Sequence, residues 1–274
     1  MNNNLNVINE GDSFTQYSQI SGLNENHFYQ EINYQPSFND IVSNKQLLIE
    51  DIEGDLFFNH KLFIDATGMK NGLRGKKDGF TFFGSITHYH GKIINDYVLN
   101  LKEDILNNLK AKIYFAIFFD RTTSKFFFKN VKKLSYDDIT KIDFSCVFFT
   151  KAINQYELFN KNIIQIGNCV HYFFIELLND YSIKVDIISK GISNNVECSF
   201  FYGIEDSPVT IGMGGKIPIE KKKTITVLSY RKETNKWYLI DKAEEIWIAC
   251  DRKIEIGERR VFKKERDIFE ISSI

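Results

Sequence analysis

Beyond about residue 45 the chain reads as short apolar runs separated by Gly, Asn, Asp and Ser, the spacing expected of β-sandwiches and barrels. Runs rich in Phe, Ile and Val predict strands at Lys61–Asp65, Phe80–Phe83, Tyr97–Leu101, Lys112–Phe119, Lys125–Val131, Phe144–Phe149, Ile163–Ile166 and Val170–Leu178. A second series is predicted at Ile183–Ile188, Val196–Tyr202, Val209–Ile211, Thr224–Tyr230, Lys236–Ile240, Ile246–Ala249, Ile254–Ile256 and Ile268–Ile271. Ile183, Val185 and Ile187 alternate with Lys184 and Asp186, which gives that strand one wet face. Helical spacing occurs once, at Lys102–Leu109, where Ile105, Leu106 and Leu109 share a stripe. No strand–helix alternation is present, so doubly wound nucleotide folds are excluded. Residues 1–55 read as a polar, largely irregular extension with spaced aromatics, and Asn179–Ser182 reads as a domain junction. The expected organisation is all-β, with one sandwich over residues 56–180 and a second over 181–274.

Composition narrows the partners. Phe 25 and Tyr 13 are many for 274 residues, and side chains of this kind favour pleated, half-buried surfaces. Lys+Arg 35 against Asp+Glu 36 leaves a formal net charge of -1, so no global field steers nucleic acid or an anionic membrane. Nucleic-acid binding and membrane insertion are therefore not expected. The cysteines Cys146, Cys169, Cys198 and Cys250 form no C-x-x-C pair, and the first residues show no basic start followed by an apolar run. An intracellular, cytoplasmic chain with reduced thiols is expected.

One stretch poses the question of function. V-T-I-G-M-G-G-K-I-P-I-E, Val209–Glu220, holds a Gly-x-Gly-Gly-Lys that resembles a phosphate cradle. Such a cradle works by converging backbone N–H groups at a helix N-terminus. Here Lys216 is followed by Ile217, Pro218 and Ile219, which predicts a turn between strands.

The order around it is more telling: V-T-I-G-M, K-I-P-I-E, T-I-T-V-L-S-Y, N-K-W-Y-L-I-D and I-E-I-G-E-R-R-V-F-K-K-E-R-D-I-F-E-I resemble a forkhead-associated (FHA) domain. Gly212 matches that family's glycine and Trp237–Asp241 its strand ending in an acid. The first half shows a similar succession: G-L-R-G-K-K-D-G-F-T-F-F-G, N-D-Y-V-L, K-I-Y-F-A-I-F-F, K-F-F-F-K-N-V and I-Q-I-G. Together these resemble tandem FHA proteins of ciliates and related protists. The resemblance implies two FHA-like β-sandwiches in tandem, a phosphothreonine-peptide reader by ancestry, and a cytoskeletal or ciliary setting.

The phosphate-gripping positions implied by that resemblance are degenerate here. Met213 stands where an Arg is expected, and a thioether donates nothing to a phosphate. Ser85 follows Gly84 in the corresponding place of the first half, Ile113 and Tyr114 occupy an expected Arg-His pair, and Glu244 and Glu245 replace an Asn-Gly turn. Loss of charged hydrogen bonds worth about 1.5–3 kcal/mol each leaves no ordinary phosphothreonine affinity. Lys221, Lys222 and Lys223 could serve as point charges for phosphate, against a solvated strand edge that discourages pairing. The expectation is a non-enzymatic interaction or structural subunit that joins other proteins in a multi-subunit assembly, with no cofactor, metal or small-molecule substrate. The alternative is an adaptor reading phosphothreonine or acidic peptides.

Remaining constellations are weaker. His88 and His90 would share one face of an extended strand, but two ligands fall short of a zinc site. Cys169 and His171 lack a third orienting group. The run Glu258–Arg266 mixes both signs and reads as a salt-bridged strand edge. Phe126, Phe127 and Phe128 cannot all face one core, so one or more must cover a second interface.

Overall fold

The computed structural model describes residues 44–101, 113–131, 141–167, 171–189, 194–219, 226–241 and 245–274. The strands of the first half are β1 (Gln46–Glu53), β2 (Leu62–Asp65), β3 (Gly68–Met69), β4 (Phe80–Gly84), β5 (His88–Tyr89), β6 (Lys92–Ile93), β7 (Tyr97–Val98), β8 (Ile113–Asp120) and β9 (Lys125–Asn130). There follow β10 (Phe149–Lys151), β11 (Gln155–Glu157), β12 (Asn162–Ile166), β13 (His171–Leu177), β14 (Ile183–Ser189), β15 (Asn195–Tyr202) and β16 (Val209–Ile211). The last are β17 (Thr226–Arg231), β18 (Lys236–Asp241), β19 (Ile246–Ala249), β20 (Ile254–Glu255), β21 (Arg259–Lys264) and β22 (Asp267–Ser273). The fold is all-β, and among the described residues no helix is long and apolar enough to cross a membrane. The helix expected at Lys102–Leu109 lies outside the described residues.

One sheet of 11 strands runs through the molecule in the order β15-β14-β13-β12-β19-β10-β21-β22-β1-β2-β3. Directly paired residues in neighbouring strands share a face. Phe269 pairs with Phe262, Phe262 with Thr150, Thr150 with Ile248, Ile248 with Ile164, Ile164 with Phe173 and Phe173 with Ile187. This row therefore marks one face across the sheet. Phe262 and Phe269 belong to a core that also holds Phe115, Phe128 and Phe148, beneath the five-stranded sheet β20-β9-β8-β4-β7. Ile248, Ile164, Phe173 and Ile187 belong to a second core with Leu228, Trp237 and Leu239, beneath the four-stranded sheet β11-β18-β17-β16. Two sandwiches thus sit side by side on the same face of one shared sheet. On its other face Phe149, Ile163, Tyr172 and Trp247 pack with Ile142 and Phe144, whose rings and branches come from the segment before β10.

The organisation departs from a division at residue 180. Asn179–Ser182 is the turn of the β13–β14 hairpin, closed by Leu178 N–H donating to Ser182 O at 2.9 Å, and the Trp237 indole N–H holds the same turn through Tyr181 O at 2.7 Å. The three larger sheets all combine strands from both sides of that turn: β21 pairs with β10, β18 with β11 and β20 with β9. Nor is the region before residue 55 wholly an extension. β1, Q-L-L-I-E-D-I-E, lies between β22 and β2 and buries Leu47 and Ile49 completely. Its three acidic residues interrupt the apolar alternation and hide it as a strand.

The Phe126–Phe128 run resolves by pleat. Phe126 and Phe128 enter the core under the five-stranded sheet, while Phe127 joins Phe80, Phe82 and Phe118 on that sheet's outer face. The outer face is pinned by Arg74, whose guanidinium lies 4.5 Å from the Phe82 ring centroid. Its Nε donates to Asp96 at 2.7 Å, its Nη2 to Asp78 at 3.2 Å and to Phe80 O at 3.0 Å, with the Arg74 side chain 0% exposed. Asp96 in turn accepts from Phe82 N–H at 2.9 Å. Burial raises the Asp96 carboxyl above its usual range while Arg74 pulls it back down. A Cβ on Gly72 would meet Asp96 at 2.6 Å, so only glycine admits the carboxylate there.

Candidate binding cleft

The two smaller sheets do not meet over the shared sheet. Between them opens a cleft of about 270 Å³, floored by Thr150 and Ile248. Thr150 stands where the two cores part and is 2% exposed, its hydroxyl donating to Val261 O at 3.2 Å. One wall comes from β11 and the turn after it, with Gln155, Tyr156 and Phe159. The facing wall is β20, with Ile254 and Glu255. β11 and β20 are each the outermost strand of their own sheet.

Four cations line the cleft: Lys151, Arg252, Lys253 and Arg260. Register places Arg260 opposite Ile271, so its side chain projects from the face of the shared sheet that carries both cores. Its Nε is buried without a hydrogen-bond partner among the described residues, and burial lowers the guanidinium below its ordinary value. Arg252 lies 4.3 Å over the Phe159 ring, and Lys253 lies 4.5 Å from the Phe127 centroid and 3.8 Å from Asp120. The single acid in the lining, Glu255, is paired with Lys125 at 2.9 Å. The lining therefore carries four cations against one acid, between apolar walls. Burial pushes the Tyr156 phenol up to about 12, and burial raises the adjoining Cys250 thiol well above its usual value. Both stay protonated and neutral near pH 7.

None of the described phosphate-site positions singled out from the sequence lines this cleft; Ser85, Ile113 and Tyr114 lie together at one end of the β4–β8 pair, where Gly84 pairs with Ile113, and Met213 lies apart from them. Ser85 is buried after β4 in the five-stranded sheet, whereas Met213 sits 58% exposed in the turn after β16 of the four-stranded sheet. Ile113 and Tyr114 are buried strand residues. A register shift opposite Gly84 steps over Tyr114, which turns to the inner core beside Phe148 with the Lys264 ammonium 5.4 Å from its ring. Glu245 is half-buried and accepts the Gly167 N–H through its backbone at 2.7 Å. Lys221, Lys222, Lys223 and Glu244 lie outside the described residues, as does Cys169.

The glycine turn is closed on itself. Gly212 N–H donates to Ile217 O at 3.0 Å, Gly215 N–H to Gly212 O at 3.0 Å and Ile217 N–H to Thr210 O at 3.0 Å. Gly212 and Gly214 take φ of 145° and 75°, and a Cβ on Gly215 would meet Thr210 O at 2.6 Å. Amides committed in this way leave no cradle for a phosphate. His88 lies in β5 and His90 in the turn after it at φ 47°, so the two do not share an extended face. Among the described residues no group of three or more His, Cys, Asp or Glu could hold a metal.

The cationic run at the C-terminal end also differs from expectation. β21 is an interior strand between β10 and β22, not an edge. Arg259 pairs with Glu270 at 2.6 Å, Lys263 is buried near the Trp247 ring and donates to Gly167 O at 3.4 Å, and Arg260 enters the cleft. Sequence spacing alone hid Arg260, because its role depends on which neighbouring strands leave a gap above it.

No protein-family model, no curated protein and no solved structure matches the chain.

Proposed function

We propose that the chain is a non-catalytic protein-interaction module, built on two fused FHA-like sandwiches, that joins a larger intracellular assembly. The observation that supports this reading is the cleft between β11 and β20, where cationic and aromatic side chains line a gap ending two sheets at once. At about 270 Å³ it is smaller than the ~300–1,000 Å³ of typical small-molecule sites, and suits a few side chains of a partner. Its lining carries cations, a phenol held protonated and one paired glutamate, a set with no activated nucleophile or free general base. A cytoskeletal or ciliary setting follows from the protist resemblance.

Affinity purification of the full chain from its native cells, followed by mass measurement of the eluted complex, tests this reading. A stoichiometric protein partner is the expected result. A chain that elutes alone and converts a metabolite would overturn it. Phosphatase-sensitive partners would instead favour the adaptor reading.

A further inference from the structure

Two sheets end at the cleft with unpaired backbone. In β11, Asn154 O accepts from Asp241 N–H at 3.1 Å and Leu158 N–H donates to Trp237 O at 2.9 Å. Antiparallel ladders alternate, so the peptide groups of Gln155 and Glu157 turn to the open side. In β20, Ile256 N–H donates to Phe126 O at 3.0 Å, which turns the peptide groups of Glu255 outward in the same way. Gln155 and Glu255 both line the cleft. An extended chain laid between them could add to either sheet, the strand-addition mode of peptide recognition.

Charge selects what such a chain carries. Above the floor stand Lys151, Arg252, Lys253 and Arg260, against Glu255, which is paired with Lys125, and Asp120, which lies 3.8 Å from Lys253. Arg260 Nε finds no hydrogen-bond partner among the described residues and is shut away from solvent. A guanidinium held this way is suited to a fork contact with a carboxylate or phosphate, whose oxygens would satisfy it. Arg252, flattened over Phe159, offers a second fork at the rim.

We infer that the cleft binds an extended segment of a partner protein bearing an anionic side chain, carboxylate or phosphate, which Arg260 grips while β11 or β20 pairs with the segment's backbone. The inference rests on the interaction-module reading and names the chemistry of its partner.

Oriented peptide libraries, with mixed flanks and a fixed central Glu, phosphothreonine or Gln, test it against the full chain. Retention of the Glu or phosphothreonine library at least tenfold above the Gln library is expected, with the stronger of the two identifying the anion. Arg260→Gln, in protein whose melting curve matches the parent, should bring all libraries to the Gln level, and Arg260→Lys should restore part of the difference. Equal retention of the three libraries, or selectivity unchanged by Arg260→Gln, overturns the inference. Should Arg260→Gln fail to fold, Arg252→Gln, at the exposed rim, carries the same comparison with a smaller expected loss. A native complex that forms equally well with Arg260→Gln would sink the anion grip while leaving the module reading intact; a chain with no partner at all would sink the module reading first.

Discussion

Arg74 and Arg260 show two fates of a buried guanidinium in one molecule. Arg74 is wholly enclosed and satisfied by Asp96, Asp78, a backbone carbonyl and an aromatic face. Removing it would leave two carboxylates buried without their cation, so Arg74→Met should destabilise the fold by about 3–5 kcal/mol, read as a lower midpoint in urea denaturation. An unchanged midpoint would mean that the triad contributes nothing net. Arg260 Nε has no hydrogen-bond partner among the described residues, and the nearby Glu255 offsets its desolvation only in part. Different neighbours, not different chemistry, separate a scaffold residue from the proposed binding residue here.

At the scale of elements, the hairpin β13–β14 and the pairing of β10 with β21 matter most. The Asn179–Ser182 stretch has the polar, Asn-Asp-rich look of a linker, yet Asp180 accepts from the Ser182 N–H at 3.0 Å and Trp237 clamps Tyr181 O. Short polar turns and short linkers share the same residues, and only the pairing partner tells them apart. Fragments 1–180 and 181–274 made separately should therefore fail to fold, since each leaves strands of the three larger sheets without partners. Circular dichroism and proteolysis of the two fragments check this. Two independently folded, protease-resistant halves would show that the tandem arrangement holds after all.

At the scale of the molecule, a sheet of 11 strands shared by two cores should unfold as one cooperative unit. Alkali should report it. Burial pushes Tyr97, Tyr156 and Tyr172 up to about 12 from an ordinary value near 10. Above about pH 10 the unfolded chain loses these protons while the folded chain keeps them, so stability present below that pH falls as pH rises towards about 12. Absorbance titration of tyrosinate should show these three groups ionising together with loss of tertiary signal near pH 12. Gradual ionisation in a folded protein would indicate that the phenols are more accessible than the packing implies.

What the chain dictated by itself is local. Alternation of Ile183, Val185 and Ile187 with Lys184 and Asp186 specifies a strand, although the face expected to be wet buries Asp186 and Ile188 in the fold; Ile217-Pro218 after the glycines specifies a turn and no helix, and three successive phenylalanines must split between two faces. All follow from the two-residue period and backbone sterics, which act over a few residues. β1 escaped notice because Glu50, Asp51 and Glu53 mask it, and its strand state is secured by β22 and β2, distant in sequence. The candidate site belongs wholly to that second kind. Lys151, Arg252 and Arg260 come from separate stretches, and only the sharing of one sheet by two sandwiches brings them to a common gap, because long-range pairing is decided by the global packing of apolar faces and not by any local spacing.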